Sequence, residues 1–220
     1  CTSKYLTSEG INLARCGLAC ADKISTVSPT YAREVLDPVV GGGVSDLIRA
    51  RADDVRGILN GIDYDFWNPS IDEALDEVDG YAKFDVANKE GKKRCKAALQ
   101  AEMGLPIEPD TPIIAMVTRL DDQKGLDLAE AVLPRVQEVQ WVILGSGALK
   151  YEAFFRDEAS RSANVAVYLG FNERLAHRIY AGADLFLMPS RYEPCGLGQM
   201  IALRYGTVPV VRATGGLADT

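Results

Sequence analysis

The chain has 220 residues, 47% hydrophobic and 25% charged, an ordinary globular composition with room for one full domain and part of another. Its formal net charge of −7 sets up a field that repels phosphate polymers and anionic lipid, which excludes general nucleic-acid or membrane-surface binding, although a local basic pocket can still hold one small anion. No apolar run reaches membrane-span length, and five cysteines (Cys1, Cys16, Cys20, Cys95, Cys195) with the single His177 make no zinc set and no disulfide framework, so a reduced, intracellular protein without metal is expected.

Residues Ser8 to Asp22 read as an amphipathic helix, with Ile11, Leu18 and Ala19 on one side and Cys16 and Cys20 at packing spacing. A short strand, Lys23 to Val27, is closed by Ser28-Pro29, and Gly41-Gly42-Gly43 marks a loop. Val55 to Leu59 runs into Asn60-Gly61, a strong turn signal. Tyr64 to Ala82 is acidic and aperiodic and reads as a linker. Asp85 to Met103 reads as a helix, basic in its middle and stopped by Gly104 and Pro106.

From Thr111 the rhythm becomes regular. Strands are predicted at Ile113 to Thr118, Trp141 to Leu144, Val165 to Leu169, Leu185 to Met188 and Val208 to Val211. Helices are predicted near Leu126 to Val136, Tyr151 to Ser162, Glu173 to Ala181 and Leu197 to Tyr205. Apolar strands alternating with amphipathic helices imply an α/β fold: a Rossmann-like parallel sheet covered by helices on both faces. Ligands then sit beyond the carboxyl ends of the strands, so the loops after Thr118, Leu144, Leu169, Met188 and Val211 are the functional candidates.

The first of these loops carries Arg119 and Lys124, two cations between a strand end and a helix start. An arginine fork, a lysine point charge and a helix N-terminus suit a diphosphate; two solvated cations beside Asp121 and Asp122 fit the same pattern equally well. The loop from Pro189 to Gly198 is more specific. Gly196 and Gly198 let backbone N–H groups approach an anion, and Glu193 can accept hydrogen bonds from sugar hydroxyls, the alternative being an exposed loop charge. Cys195 reads as a small packing residue in this loop. Gly145-Ser146-Gly147 alone is a weak signal, and a turn explains it. Phe171 can stack on a nucleobase, the commoner alternative for an aromatic being core or rim packing, and a lone histidine such as His177 within a helix is ordinarily structural.

Taken together, KISTVSPTYAR (Lys23 to Arg33), GILNGIDYDFWNP (Gly57 to Pro69), TRLDDQKGLDL (Thr118 to Leu128), AHRIYAGADLFLMPSRYEP (Ala176 to Pro194) and the stretch from Cys195 through TGGLADT to Thr220 resemble the bacterial glycogen synthases and plastid starch synthases, in order and over nearly the whole chain. The resemblance implies a GT-B glycosyltransferase with two Rossmann-like domains facing across a cleft. Residues 1–62 would be the end of the acceptor-side domain and 63–220 the donor-side domain, incomplete at its C-terminus. The chain is expected to be a piece of a longer enzyme that needs the rest of its acceptor-side domain for turnover.

The implied reaction transfers glucose from ADP-glucose to the 4-hydroxyl at the non-reducing end of an α-1,4-glucan, with retention, without cofactor or metal. The resemblance makes Arg119 and Lys124 the cations facing the leaving diphosphate and Glu193 the carboxylate that holds the donor glucose. It places Cys195, Gly196, Leu197 and Gly198 in the phosphate loop, Phe171 against adenine, Gly215 and Gly216 in the second Gly-Gly motif of the cleft, and Asn60 where the cleft begins. The location implied is cytoplasmic for a bacterium and plastid for a plant or alga. Three departures stand out. Ile201 occupies a position that is glutamate in wider relatives, Gly198 stands where bacterial members often have Thr, and Asp121-Asp122 adds negative charge beside the phosphate loop.

Overall fold

The computed structural model describes residues 6–7 and 10–220, with side chains from residue 12 onward. Cys1 and the expected helix start at Ser8 lie outside the described residues. The chain forms two compact units: Cys1–Asn60 with Tyr192–Gly196 and Ala213–Thr220, and Gly61–Arg191 with Leu197–Arg212.

The first unit opens with a two-residue antiparallel pair, β1 (Leu6–Thr7) and β2 (Gly10–Ile11). Helix α1 (Leu13–Cys20) therefore begins later than its periodicity suggests, where the Asn12 side chain accepts the Arg15 N–H. Strand β3 (Ile24–Thr26) leads to α2 (Pro29–Glu34), started by the Ser28 hydroxyl, which accepts the Tyr31 N–H, and by Pro29 in the first turn. The triple-glycine segment is not a plain loop. Asp37 caps α3 (Pro38–Gly41), a 3-10 turn covers Gly42–Val44, and α4 (Ser45–Ala50) follows. Strand β4 (Val55–Gly57) pairs in parallel with β3, and Gly57 fits there because a Cβ would collide with the Ser28 carbonyl. Ile24, Val35, Ile48 and Val55 form this unit's small core.

The second unit is built on α5 (Glu90–Glu102), β5 (Ile113–Val117), α6 (Leu126–Val132), β6 (Gln140–Gly145), α7 (Leu149–Arg161), β7 (Val165–Leu169), α8 (Glu173–Gly182), β8 (Leu185–Met188), α9 (Leu197–Arg204) and β9 (Val208–Val211). The sheet is wholly parallel, in the order β7-β6-β5-β8-β9. Ile113, Ala115, Val142 and Leu144 enter one hydrophobic cluster, whereas Met116, Trp141 and Ile143 enter another. Alternate side chains thus feed two cores, one on each face of the sheet. The final helix, α10 (Gly215–Asp219), belongs to the first unit.

The acidic stretch before α5 is more than a linker. Leu75, Tyr81 and Phe84 are buried in the second unit's larger core. Its carboxylates are spent on backbone turns: Asp63 accepts the Asp65 and Phe66 N–H groups, Asp72 that of Ala74, and Asp76 that of Val78. Asp85 does the same for Ala87 and Asn88, which delays the start of α5 to Glu90. Arg178 of α8 ties this stretch down. Its guanidinium donates to the Ala74 carbonyl, Glu102 and Asp79, and lies 4.5 Å over the Tyr81 ring.

Candidate functional site

In the second unit the loops leaving β5 and β8 are laced together at the carboxyl ends of neighbouring strands. The Arg191 N–H donates to the Gln123 carbonyl at 2.8 Å, and the Arg191 guanidinium pairs with Asp127 at 2.6 Å. Gly125 has φ +66°, and a Cβ there would collide with the Pro189 carbonyl oxygen. Glycine lets the first loop turn into α6 while it touches the second. Arg119 is largely exposed on this edge, its Nη1 3.1 Å from Asp121 and its Nη2 donating to Gln123 Oε1 at 3.0 Å. Lys124 closes the 3-10 turn Asp122–Lys124 just before α6.

The two aspartates are structural as well as charged. Asp121 caps that turn by accepting the Lys124 N–H. Asp122 Oδ1 accepts from Lys150 Nζ at 2.6 Å and from the Tyr151 hydroxyl at 2.5 Å. Those contacts, Lys150 first, hold the Asp122 carboxyl below its usual range, and burial together with the carboxylate pushes the Tyr151 phenol up. Leu120, wholly buried, donates its N–H to the Ser146 carbonyl and accepts from Ala148 N–H at 2.7 Å. The Gly145-Ser146-Gly147 segment is thereby a turn that anchors the first loop, and Glu152 already occupies the Gly147 N–H at 3.0 Å. Phe171, just past the end of β7, is 89% exposed, so packing in the core is excluded.

At the start of α9, Leu197 and Gly198 stand at the carboxyl end of β8. A Cβ on Gly198 would meet the Phe186 ring at 3.2 Å and the Tyr180 hydroxyl at 3.3 Å, so a Thr side chain there would require these two side chains to give by a few tenths of an ångström. Ile201 is buried in the core.

The remaining candidates lie in the first unit. Glu193 is only 8% exposed, which rules out a solvated loop charge. Its carbonyl accepts the Gly216 N–H at 2.7 Å. Gly215 has φ +47°, and a side chain on Gly215 or Gly216 would run into the Glu193 or Cys195 carbonyl. Gly196, at φ +84°, leaves a would-be Cβ 2.7 Å from Leu217. Asn60 Nδ2 donates to Cys195 Sγ at 3.4 Å. Asn60, Glu193, Cys195, Gly196, Gly215 and Gly216 are thus one interlocked cluster. Two carboxylates of the first unit, absent from the sequence-derived set, fasten it. Glu34 accepts from Thr214 Oγ1 and from Gly215 N–H at 3.0 Å, and Asp219 accepts from Thr30 N–H at 2.7 Å and Thr30 Oγ1 at 2.6 Å. No local pattern marks pairs some 180 residues apart.

His177 is structural, as expected. Its Nδ1 is 2.8 Å from Asp72, whose same oxygen accepts from the Tyr205 hydroxyl at 2.5 Å, and Trp67 stacks on its ring at 4.1 Å. Burial opposes ionisation of Asp72, but the hydrogen bonds from His177, Tyr205 and the Ala74 N–H outweigh it and keep the carboxyl below its usual range. Among the described residues no group of three or more His, Cys, Asp or Glu is placed to hold a metal ion, and no helix is long and apolar enough to cross a membrane.

A wholly parallel sheet with cationic and glycine-rich loops laced at its carboxyl edge defines a Rossmann-like α/β protein, a class whose ligands sit at that edge. The chain belongs to the family of glycosyl transferases group 1, whose family model matches residues 102–220. Within that family the chain is similar to the glycogen and starch synthases. The starch synthase catalytic domain model matches residues 2–50. The chain is 55% identical over 215 residues to a glycogen synthase of Anaeromyxobacter dehalogenans, covering 96% of this chain and 44% of that protein. It is 49% identical over 227 residues to a glycogen synthase of Exiguobacterium sibiricum, covering 99% and 46%. Among solved structures, the catalytic domain of starch synthase IV from Arabidopsis thaliana, bound to ADP and acarbose, superposes with a TM-score of 0.87 at 37% identity, covering 98% of this chain and 44% of that one. Sucrose-phosphate synthase from Thermosynechococcus elongatus (TM-score 0.59, 22% identity, covering 97% and 48%) shares the fold alone. The chain therefore spans a little under half the length of the curated relatives it matches.

Proposed function

We propose that this chain carries the donor-binding part of a retaining glucosyltransferase that moves glucose from ADP-glucose onto the 4-hydroxyl of an α-1,4-glucan. The observation that carries the reading is the lacing of the Arg119–Gly125 loop to the β8–α9 loop at the carboxyl ends of β5 and β8, where open parallel sheets bind their ligands. Arg119 and Lys124 would stabilise the charge that develops on the departing diphosphate. Backbone N–H groups near Gly196 and Leu197 would receive phosphate, and Phe171, exposed just past the end of β7, would stack on adenine. Glu193 would hold the donor glucose, with Cys195, Gly196, Gly215, Gly216 and Asn60 shaping the backbone around it. Residues 1–62 would close an acceptor-side domain and 63–220 would form the donor side.

The names of the glycogen synthase relatives, and the ADP bound in the starch synthase neighbour, favour ADP over UDP as the nucleotide. The bacterial relatives favour a cytoplasmic site of action. The neighbour's acarbose makes a glucan the expected second substrate.

Titration calorimetry of this chain with ADP and UDP tests the reading. ADP is expected to bind more tightly than UDP, Arg119→Ala and Lys124→Ala should each weaken ADP by about tenfold or more through loss of a charge-assisted contact, and ADP-glucose turnover by the chain alone should be negligible. Equal affinity of both nucleotides, or indifference of ADP binding to both substitutions, refutes the donor site. Sustained glucan elongation by this chain alone refutes its dependence on a further acceptor-side wall.

A further inference from the structure

A cavity of about 970 Å³ opens in the second unit at the opposite edge of the sheet from the laced loops. Asp110, Asp184 and Gly206 on its wall precede β5, β8 and β9. Six lining side chains are cations (Lys89, Lys92, Lys93, Arg94, Lys96 and Arg204), against three carboxylates, Asp85, Asp110 and Asp184. In a chain of net charge −7 this is a local reversal of sign. Helix α5 supplies most of it, because Lys89, Lys93, Lys96 and Gln100 recur at three- or four-residue spacing and so share one face. Some of these cations are already committed. Lys92 Nζ donates to the Ala181 and Ala183 carbonyls and to Thr207 Oγ1. Lys96 holds Asp184 at 2.9 Å and the Pro109 carbonyl at 2.8 Å. Lys93 pairs with Glu90 at 2.6 Å. Lys89 and Arg94, by contrast, are exposed and make no hydrogen bond or ion pair among the described residues. Two further features describe the wall. Val86 and Leu203 are exposed apolar side chains on it. Gln100, wholly buried, donates its Nε2 to the Glu108 carbonyl at 3.0 Å and to Gln140 Oε1 at 2.8 Å, but its Oε1 has no hydrogen-bond partner among the described residues. A buried acceptor without a donor calls for one.

We propose that this cavity is a second ligand site that binds a sugar phosphate, with the phosphate on Lys89 and Arg94 and the sugar ring against Val86 and Leu203. An arginine fork and a lysine point charge with no partners of their own suit a phosphate group. The C–H faces of a sugar ring suit the apolar wall, and a sugar hydroxyl supplies, directly or through one water, the donor that Gln100 Oε1 lacks. Bare phosphate leaves the apolar wall and Gln100 unused, and a free sugar leaves the two cations unused, so the combination selects a ligand that carries both. The cavity lies at the amino ends of the strands, whereas the donor reading places its diphosphate at their carboxyl ends. The two ligands are therefore not expected to compete, and the inference stands apart from the donor reading.

The experiment is titration calorimetry of this chain with fructose 6-phosphate, fructose and inorganic phosphate, repeated for fructose 6-phosphate in excess ADP. Fructose 6-phosphate should bind more tightly than inorganic phosphate, fructose alone should give no measurable heat, and ADP should leave the fructose 6-phosphate constant unchanged. Lys89→Ala and Arg94→Ala remove exposed side chains without partners, so both variants should fold as the unaltered chain does. Each should raise the fructose 6-phosphate dissociation constant roughly tenfold, as for loss of one hydrogen bond to a charged group. Arg156→Ala, on α7 and away from the cavity wall, should not change it. Absence of fructose 6-phosphate binding overturns the site, as does displacement by ADP or indifference to both cavity substitutions. An equal loss in Arg156→Ala reduces the effect to overall charge and overturns it too. Equal affinity for inorganic phosphate and fructose 6-phosphate overturns the assignment of a sugar phosphate.

Discussion

Asp72 to Ala is the most informative single perturbation of the fold behind the site. Asp72 is 6% exposed, and its Oδ2 is the acceptor for both Tyr205, wholly buried, and His177, 5% exposed. Truncation strands two buried polar groups at about 1–3 kcal/mol each, so a total near 3–4 kcal/mol is expected. Tyr205→Phe removes one donor and leaves the carboxylate with His177 and the Ala74 N–H, so it should cost only about 1 kcal/mol. For a unit of this size the first change corresponds to a fall in melting temperature of roughly 6–16 °C. Urea unfolding followed by tryptophan fluorescence suits the purpose, because Trp67 stacks on His177 and senses the cluster directly. The double variant should cost about the same as Asp72→Ala minus the penalty of the stranded hydroxyl. Equal costs for the two single changes would refute the argument that unsatisfied partners, rather than lost contacts, dominate this cluster.

Two further outcomes are expected. Gly125→Ala forces a side chain onto a backbone at φ +66° and into the Pro189 carbonyl; it should destabilise the second unit by at least about 1–2 kcal/mol and weaken ADP binding, whereas full ADP affinity in the variant would mean that the laced loops do not form the site. Acid titration should leave stability level from neutrality down to about pH 4 and then lower it. The sign follows from Asp72 and Asp219, whose folded pKa values are depressed, so their contribution is present above the unfolded value and is lost as pH falls through the folded one. Unfolding monitored by circular dichroism checks this, and a rise in stability on acidification would contradict the assignment.

The second unit was largely legible because its elements announce themselves locally. Near-continuous apolar strands such as Trp141 to Leu144 and amphipathic helices such as α8 need no distant information to be recognised, and their alternation leaves a parallel sheet as the one economical arrangement. The position of Arg119, Lys124 and the α9 start at the carboxyl ends of the strands is legible for the same reason. The first unit was harder to read, because short helices such as α3 are set by single capping contacts that outweigh a run of glycines. The acidic segment before α5 reads as a linker for a related cause: composition counts its aspartates as solvated charge, whereas the fold turns them onto backbone N–H groups while Leu75 and Tyr81 fill the core.

What stayed hidden were polar pairings across long separations, Glu34 with Gly215, Asp72 with Tyr205 and Asp122 with Tyr151. Each joins residues whose types are ordinary in their own neighbourhoods, so only the folded chain reveals that they fasten Gly215, the Asp72 turn and the Asp122 loop. Asp122 shows the consequence for function. Read from composition it sits beside the phosphate loop as an unfavourable charge, but bound to Tyr151 and Lys150 its charge is already partly neutralised, and it holds the backbone from which Arg119 and Lys124 project. A carboxylate beside a diphosphate site is therefore no argument against the site when that carboxylate has cations and hydroxyls of its own.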